Sequence, residues 1–205
     1  MSVKTSSSFL KNFRSNFAVT DDKWNEYTGF FKRIEVPAKT ILLREGEVSK
    51  KAYLIEKGCM RVWFNNAGKD MTVQFFFENN TVSSLESFKK NIPGLLTIET
   101  LEPCILWYIN KPDIESIIDE TGDIPALRKK LLDAVLNRTF HYMQHFFSFI
   151  KDSPKQRYIN LVQQSPQIVL RVPQHYIASY LGISTVHLSR IKSAIAKENK
   201  RNVKQ

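Results

Sequence analysis

VPQHYIASYLGISTVHLSRIK, residues 172–192, reads as two short helices joined by a tight turn. Ile177, Ala178 and Leu181 make a first apolar stripe that stops at Gly182. Ser184 is a helix N-cap candidate, and Leu188, Ile191 and Ile195 resume helical spacing beyond it. A helix pair with a glycine turn is the usual way to place one short helix in the DNA major groove. With the second stripe buried, a wheel of about 100° per residue turns Val186, Ser189, Arg190, Ser193 and Lys197 outward, with Thr185 beside them. Arg190 is the candidate for base readout, because a guanidinium can donate twice to guanine O6 and N7. Thr185 and Val186 offer only a hydroxyl and methyl groups, which suit thymine. Gln174, Ser189, Lys192 and Lys197 are expected on phosphates, and a helix capped by Ser184 favours a phosphate at its N-terminus. His187 stays open between packing on the first helix and other roles.

The charge follows the motif. From Lys151 to Gln205 there are ten Lys and Arg against two acids, whereas Met1–Ile150 carries twenty against eighteen. A basic end segment favours a polyanionic partner through phosphate contacts and counterion release. Apolar residues make up 42% of the 205, enough for a real core. Only Cys59 and Cys104 are present, in strand-like apolar runs, so two reduced thiols are expected rather than a zinc or iron–sulfur site. No signal-peptide pattern and no run of transmembrane length is visible, which predicts a cytoplasmic chain without a membrane partner.

Upstream, Phe9, Phe13, Phe17, Trp24, Tyr27 and Phe31 predict helix from about Phe9 to Lys32, with Thr20 as a cap. The character then changes to short β-rich runs at Thr40–Leu43, Ala52–Glu56, Met60–Phe64, Met71–Phe77, Leu95–Leu101 and Cys104–Ile109. Polar turns such as Asn65–Lys69 separate them, as in an antiparallel barrel or roll. Lys111–Ile118 reads as a short helix, and Ile124–Ile150 as a long one. In the long helix Leu132, Leu136, Thr139, Met143, Phe146 and Ile150 keep a heptad seam, with Leu131 and Val135 in a second row. So wide an apolar face predicts a homodimer. Ser153 and Pro154 form a cap and a first-turn proline, the best boundary in the chain. Gln167–Val172 alternates like a strand. The expected domains are 1–122 (helices and β-roll), 123–151 (dimerisation helix) and 152–205 (DNA-binding).

Leu42-Leu43-Arg44-Glu45-Gly46-Glu47, Ala52–Gly58, Asp152–Tyr158, Leu181–Ser184 and Leu188–Ile191 occur in that order. The order of motifs resembles the cyclic-AMP receptor and fumarate-nitrate regulator family of bacterial transcription factors, from about Phe30 to Ile195. The resemblance implies an α+β fold: an antiparallel β-roll of the cyclic-nucleotide-binding type with flanking helices, a long dimer helix and a C-terminal winged helix-turn-helix. It implies a homodimer on a pseudo-palindromic double-stranded DNA operator, RNA polymerase among the partners, and no enzymatic activity. It also supports Arg190 as the base reader, although family members often carry Arg or Glu where this chain has Thr185 and Val186.

The nucleotide pocket departs further. The family's Gly-Glu-Leu turn aligns with Ser83-Ser84-Leu85, and its phosphate-binding Arg-Ser or Arg-Thr with Gly94-Leu95. Between Thr72 and Leu106 the only basic residues are Lys89 and Lys90. A cyclic phosphate closed in the roll without a charge partner would be costly. Tyr142 and Met143 stand where a purine would meet the long helix. The expectation is no cofactor and no cyclic-AMP binding, with a different small effector, or none, left open. His141 and His145 have metal-compatible i, i+4 spacing but no third ligand, so no metal is expected. No nucleophile elbow, P-loop or paired-carboxylate pattern suggests catalysis. A sensor module with a non-transcriptional output is the alternative, which the basic helix-turn-helix disfavours.

Overall fold

The computed structural model describes residues 8–14, 19–121 and 124–202. Phe17 and the boundary expected at 122–123 lie outside the described residues. Two helices, α1 (Ser8–Phe13) and α2 (Asp21–Thr28), lead into a run of eight strands: β1 (Lys32–Val36), β2 (Ile41–Leu43), β3 (Lys51–Lys57), β4 (Met60–Asn66), β5 (Lys69–Phe76), β6 (Thr81–Val82), β7 (Thr97–Thr100) and β8 (Cys104–Asn110). Helix α3 (Leu85–Lys90) interrupts them between β6 and β7. The chain then becomes helical: α4 (Lys111–Thr121), α5 (Pro125–Lys151), α6 (Pro154–Gln164), α7 (Pro166–Arg171), α8 (Gln174–Tyr180) and α9 (Thr185–Asn202). The strands form two four-stranded sheets of order β1-β8-β3-β6 and β2-β7-β4-β5. The β-roll and the mixed α+β character are those expected.

The chain divides into two compact units. One comprises Met1–Met60 and Phe76–His141, the other Arg61–Phe75 and Tyr142–Gln205. In the first, Leu10, Trp24, Leu54 and Trp107 form one apolar cluster, and Tyr27, Ala52, Ile109 and Ile117 another. Burying such side chains is worth about 1.5–3 kcal/mol each, which fastens α1, α2 and α4 to β3 and β8. Glu120 ties α4 to α2, accepting from Tyr27 Oη and Lys23 Nζ at 3.1 Å. Cys59 and Cys104 are buried free thiols, as expected. The Cys104 thiol fills the space that a side chain at Gly58 would need, and Gly58 has φ +114°.

Two expectations are corrected. The helix predicted to reach Lys32 ends at Thr28, where the Gly29 N–H returns to Glu26 and Tyr27 carbonyls. Lys32–Val36 is instead strand β1, paired with β8 from Tyr108 to Cys104. Gln167–Val172, read as a strand, is mostly α7: Pro166 supplies the fixed φ of a first helical turn, and Ile168 is buried while Leu170 is exposed. Among the described residues no strand follows Asn110, and no helix is long and apolar enough to cross a membrane.

Candidate nucleic-acid interface

The helix-turn-helix is built as its sequence predicts. Ile177, Ala178 and Leu181 are buried on one side of the turn, Leu188 and Ile191 on the other, and Ile195 is half-buried. The turn closes as a Schellman motif: Gly182 N–H donates to Ser179 O and Ile183 N–H to Ala178 O, each at 3.0 Å. That geometry needs the left-handed backbone, and Gly182 has φ +67°. Ser184 then caps α9, its hydroxyl accepting from His187 N–H at 3.2 Å.

The outward face of α9 presents Thr185, Val186, Ser189, Arg190, Ser193 and Lys197, all exposed. Gln174, at the start of α8, and Ser184 are exposed too, whereas Lys192 is half-buried. His187 is exposed, so it does not pack on α8 as a core residue. Arg190 thus has an open face and no ion-pair partner among the described residues, while Lys155 and Glu198 pair at 2.7 Å between α6 and α9.

The entry to this head is as tightly determined. Ser153 caps α6 through Gln156 N–H, with Pro154 in the first turn, as expected. Sequence reasoning missed Arg157. Its Nη1 donates to Asp152 O at 2.9 Å and its Nη2 to Leu181 O at 3.1 Å. Its guanidinium also covers the Phe149 ring at 4.7 Å. One side chain therefore joins the end of α5, the start of α6 and the turn before α9. The spacing between Asp152 and Arg157 was visible in the sequence; its reach to Leu181 was not. His145 stacks on Tyr180 at 4.4 Å and meets Phe149 edge-on, an aromatic packing role. Burial pushes the Tyr180 phenol up to about 12, with the nearby Tyr142 adding to the shift. Among the described residues no group of three His, Cys, Asp or Glu could hold a metal ion.

The expected effector residues fall into two sets. Ser84 and Gly94 are brought together: a Cβ on Gly94 would stand 3.0 Å from Ser84 Oγ. Main-chain bonds between Gly94 and residues Gly46 and Glu47 close the loop over this point, and Ser87 Oγ bridges Ser49 N–H to Ile92 O. Ser83 is half-buried, and Leu85 and Leu95 are exposed. Lys90 pairs with Glu86 at 2.8 Å and Lys89 is exposed, so α3 turns its ammonium groups to solvent. A cleft of about 170 Å³ opens on the Glu47–Ser49 side of this loop, beside Leu43, Lys51 and Tyr53. It is smaller than the roughly 300–1,000 Å³ of ordinary small-molecule sites. Tyr142 and Met143 belong to the other compact unit.

On α5 the whole seam is exposed in the single chain: Leu132, Leu136, Thr139, Met143, Phe146 and Ile150, flanked by Leu131, Val135, Phe140 and Phe147. Thr139 spends its hydroxyl on Val135 O at 3.0 Å, so it presents a methyl group within an apolar row.

Comparison with known proteins agrees with this architecture. Residues 33–121 match the family model of the cyclic nucleotide-binding domain. No curated protein matches the sequence. Among solved structures, FixK2 from Bradyrhizobium japonicum superposes with a TM-score of 0.71 at 14% identity, over 82% of this chain and 86% of that one. A transcriptional regulator from Eubacterium rectale assigned to the crp/fnr family gives 0.70 at 15% identity, over 90% and 88%. The c-di-GMP responsive global regulator CLP from Xanthomonas campestris gives 0.68 at 14% identity, over 87% and 93%. Residues 33–121 are thus similar to the cyclic nucleotide-binding domain, and the chain carrying them has the fold of the crp/fnr transcriptional regulators.

Proposed function

We propose that the chain is a homodimeric, sequence-specific DNA-binding transcriptional regulator whose nucleotide pocket does not take cyclic AMP. The observation that carries this reading is the split of α9 into a buried stripe and an exposed face. Leu188 and Ile191 are buried, while Thr185, Val186, Ser189 and Arg190 face solvent beyond a capped N-terminus. Arg190 reads a guanine, Thr185 and Val186 touch methyl-bearing bases, and Gln174, Ser184, Ser189, Lys192 and Lys197 position the head on phosphates. The functional division is 1–122 for sensing, 123–151 for dimerisation and 152–205 for DNA. The apolar seam of α5 supports a parallel helix pair, which places two heads about one turn of DNA apart on a pseudo-palindrome. Double-stranded DNA, a second copy and RNA polymerase are the partners, in the cytoplasm, with no chemistry catalysed.

Ser84 and Gly94 align in sequence with the glutamate and arginine that hold a cyclic nucleotide in the family the chain resembles, which supports a different small effector in the roll or none. Selection of bound duplexes from a random pool tests the DNA reading. A shared two-fold motif is expected, and Arg190→Ala should lose the preference while keeping weak, salt-sensitive binding. No enrichment by the wild type, or undiminished selectivity in the variant, refutes the assignment.

A further inference from the structure

Arg61 is only 2% exposed, an unusual place for a guanidinium. Burying that charge is costly unless it is paired and hydrogen-bonded. Its Nη2 donates to Asp70 Oδ2 at 2.8 Å, across the β4–β5 hairpin. Its Cζ also lies over two aromatic rings, 3.9 Å from the centre of Tyr176 and 4.6 Å from that of Trp63. Trp63 is on the hairpin, but Tyr176 is on α8.

Two more residues of α8 grip the same hairpin. Ser179 Oγ donates to Asp70 O at 2.6 Å and accepts from Thr72 N–H at 2.8 Å. Tyr180 tilts against Phe75 with ring centres 5.3 Å apart. Residues 176, 179 and 180 lie on one face of a helix. The remaining buried residues, Ile177, Ala178 and Leu181, make the stripe that meets α9. Helix α8 is therefore held on one side by the hairpin and on the other by α9, while Arg190 and its neighbours stay exposed.

The geometry points to a positioning role for the hairpin: the clasp of Arg61, Asp70, Tyr176 and Ser179 fixes the angle at which α9 is presented, so that both heads of a dimer engage one operator together. This rests on the proposed function and adds positioning residues that do not touch DNA. The guanidinium is needed for its shape. A lysine keeps the charge but cannot lay a planar cation against the Tyr176 and Trp63 rings while donating to Asp70. Loss of the clasp leaves each head able to bind alone and removes the advantage of binding as a linked pair.

The test uses the full chain, the selected duplex with two half-sites, and a duplex with one half-site scrambled. Affinities are read by fluorescence anisotropy for the wild type, Arg61→Lys and Ser179→Ala, with melting by circular dichroism to verify folding. Both variants are expected to bind the two-half-site duplex about tenfold more weakly and the single half-site within about twofold of the wild type. Ser179→Ala removes only two hydrogen bonds, so it remains informative if Arg61→Lys fails to fold. Equal losses on both duplexes mean that the residues merely support the fold, and overturn the inference. So does unchanged affinity for the two-half-site duplex. A wild type that binds no duplex overturns the proposed function itself.

Discussion

The ring of Phe149 occupies the space into which a side chain at Gly182 would grow: a Cβ there would lie 2.7 Å from Phe149 Cε1. Gly182 is thus required twice, by its φ of +67° and by this approach of α5 to the turn before α9. A non-glycine residue in the left-handed region costs about 1–2 kcal/mol, and overpacking about 1–3 kcal/mol more. Gly182→Ala should lower stability by about 2–5 kcal/mol, measured by urea unfolding. Adding Phe149→Leu should recover the packing part and leave the backbone part. A loss below about 1 kcal/mol in the single variant would contradict both arguments.

The apolar seam of α5 predicts an oligomeric switch. Leu136→Glu and Met143→Glu place charges in the middle of the exposed apolar face proposed to pair with a second copy. Each should turn the proposed dimer into a monomer in sedimentation equilibrium, and weaken binding to a two-half-site duplex far more than to one half-site. Dimers that persist in both variants would place the dimer interface elsewhere.

The roll predicts an absence of heat. Titrating cyclic AMP or cyclic GMP into the full chain in a calorimeter should show no binding at micromolar concentrations. Gly94→Arg combined with Ser84→Glu restores the missing charges. It is not expected to restore binding by itself, because even the short side chain of Ser84 reaches within 3.0 Å of a Cβ at residue 94, and a longer one crowds that position further. Micromolar affinity in the wild type would show that another group neutralises the phosphate.

Tyr180 predicts an alkaline limit to stability. Burial raises its phenol to about 12 in the folded chain, against about 10 when unfolded. A raised folded value contributes stability that is fully present below pH 10 and is lost as pH rises towards 12. The full effect of two units is about 3 kcal/mol. Unfolding midpoints of the wild type should therefore fall between pH 10 and 12 more steeply than those of Tyr180→Phe, which keeps the ring against Phe75 and His145. Parallel curves would mean that Tyr180 titrates as an ordinary surface phenol. At the acid end, Glu120 is held below the usual carboxylate range by the hydrogen bonds from Lys23 and Tyr27. Its contribution is present above about pH 4.5 and disappears as the pH falls through that lowered value.

Much of this fold could be read locally. Gly182, Ser184, Ser153 and Pro154 act on backbone groups within four residues, so their roles follow from spacing alone. The strand runs of the roll were visible because buried β-branched and aromatic residues alternate with polar turns. What escaped depends on partners distant in sequence. Lys32–Val36 has three charged residues in five and becomes a strand because β8 offers it a register. Gln167–Arg171 has strand-like Ile and Val, yet Ser165 and Pro166 start a helix that buries Ile168. Arg61 has no local signal at all, since Tyr176 is 115 residues away and only the folded chain brings the two together. Ser84 and Gly94 are likewise half legible: their lack of charge is plain in the sequence, but the approach of one to the other appears only in the fold.

The link between α5 and α6 has a consequence for how this chain can vary. Only Asp152 and Ser153 separate the two helices, and both are committed, Asp152 O to Arg157 and Ser153 Oγ to Gln156. There is no slack to absorb an insertion. One residue added to α5 rotates everything downstream by about 100° about the helix axis, whereas seven return it nearly to phase about 10.5 Å further along. The length of this helix is therefore quantised. Chains of this design are free to change α5 by whole heptads, the steps that keep its apolar seam in phase with the Asp152–Arg157 link.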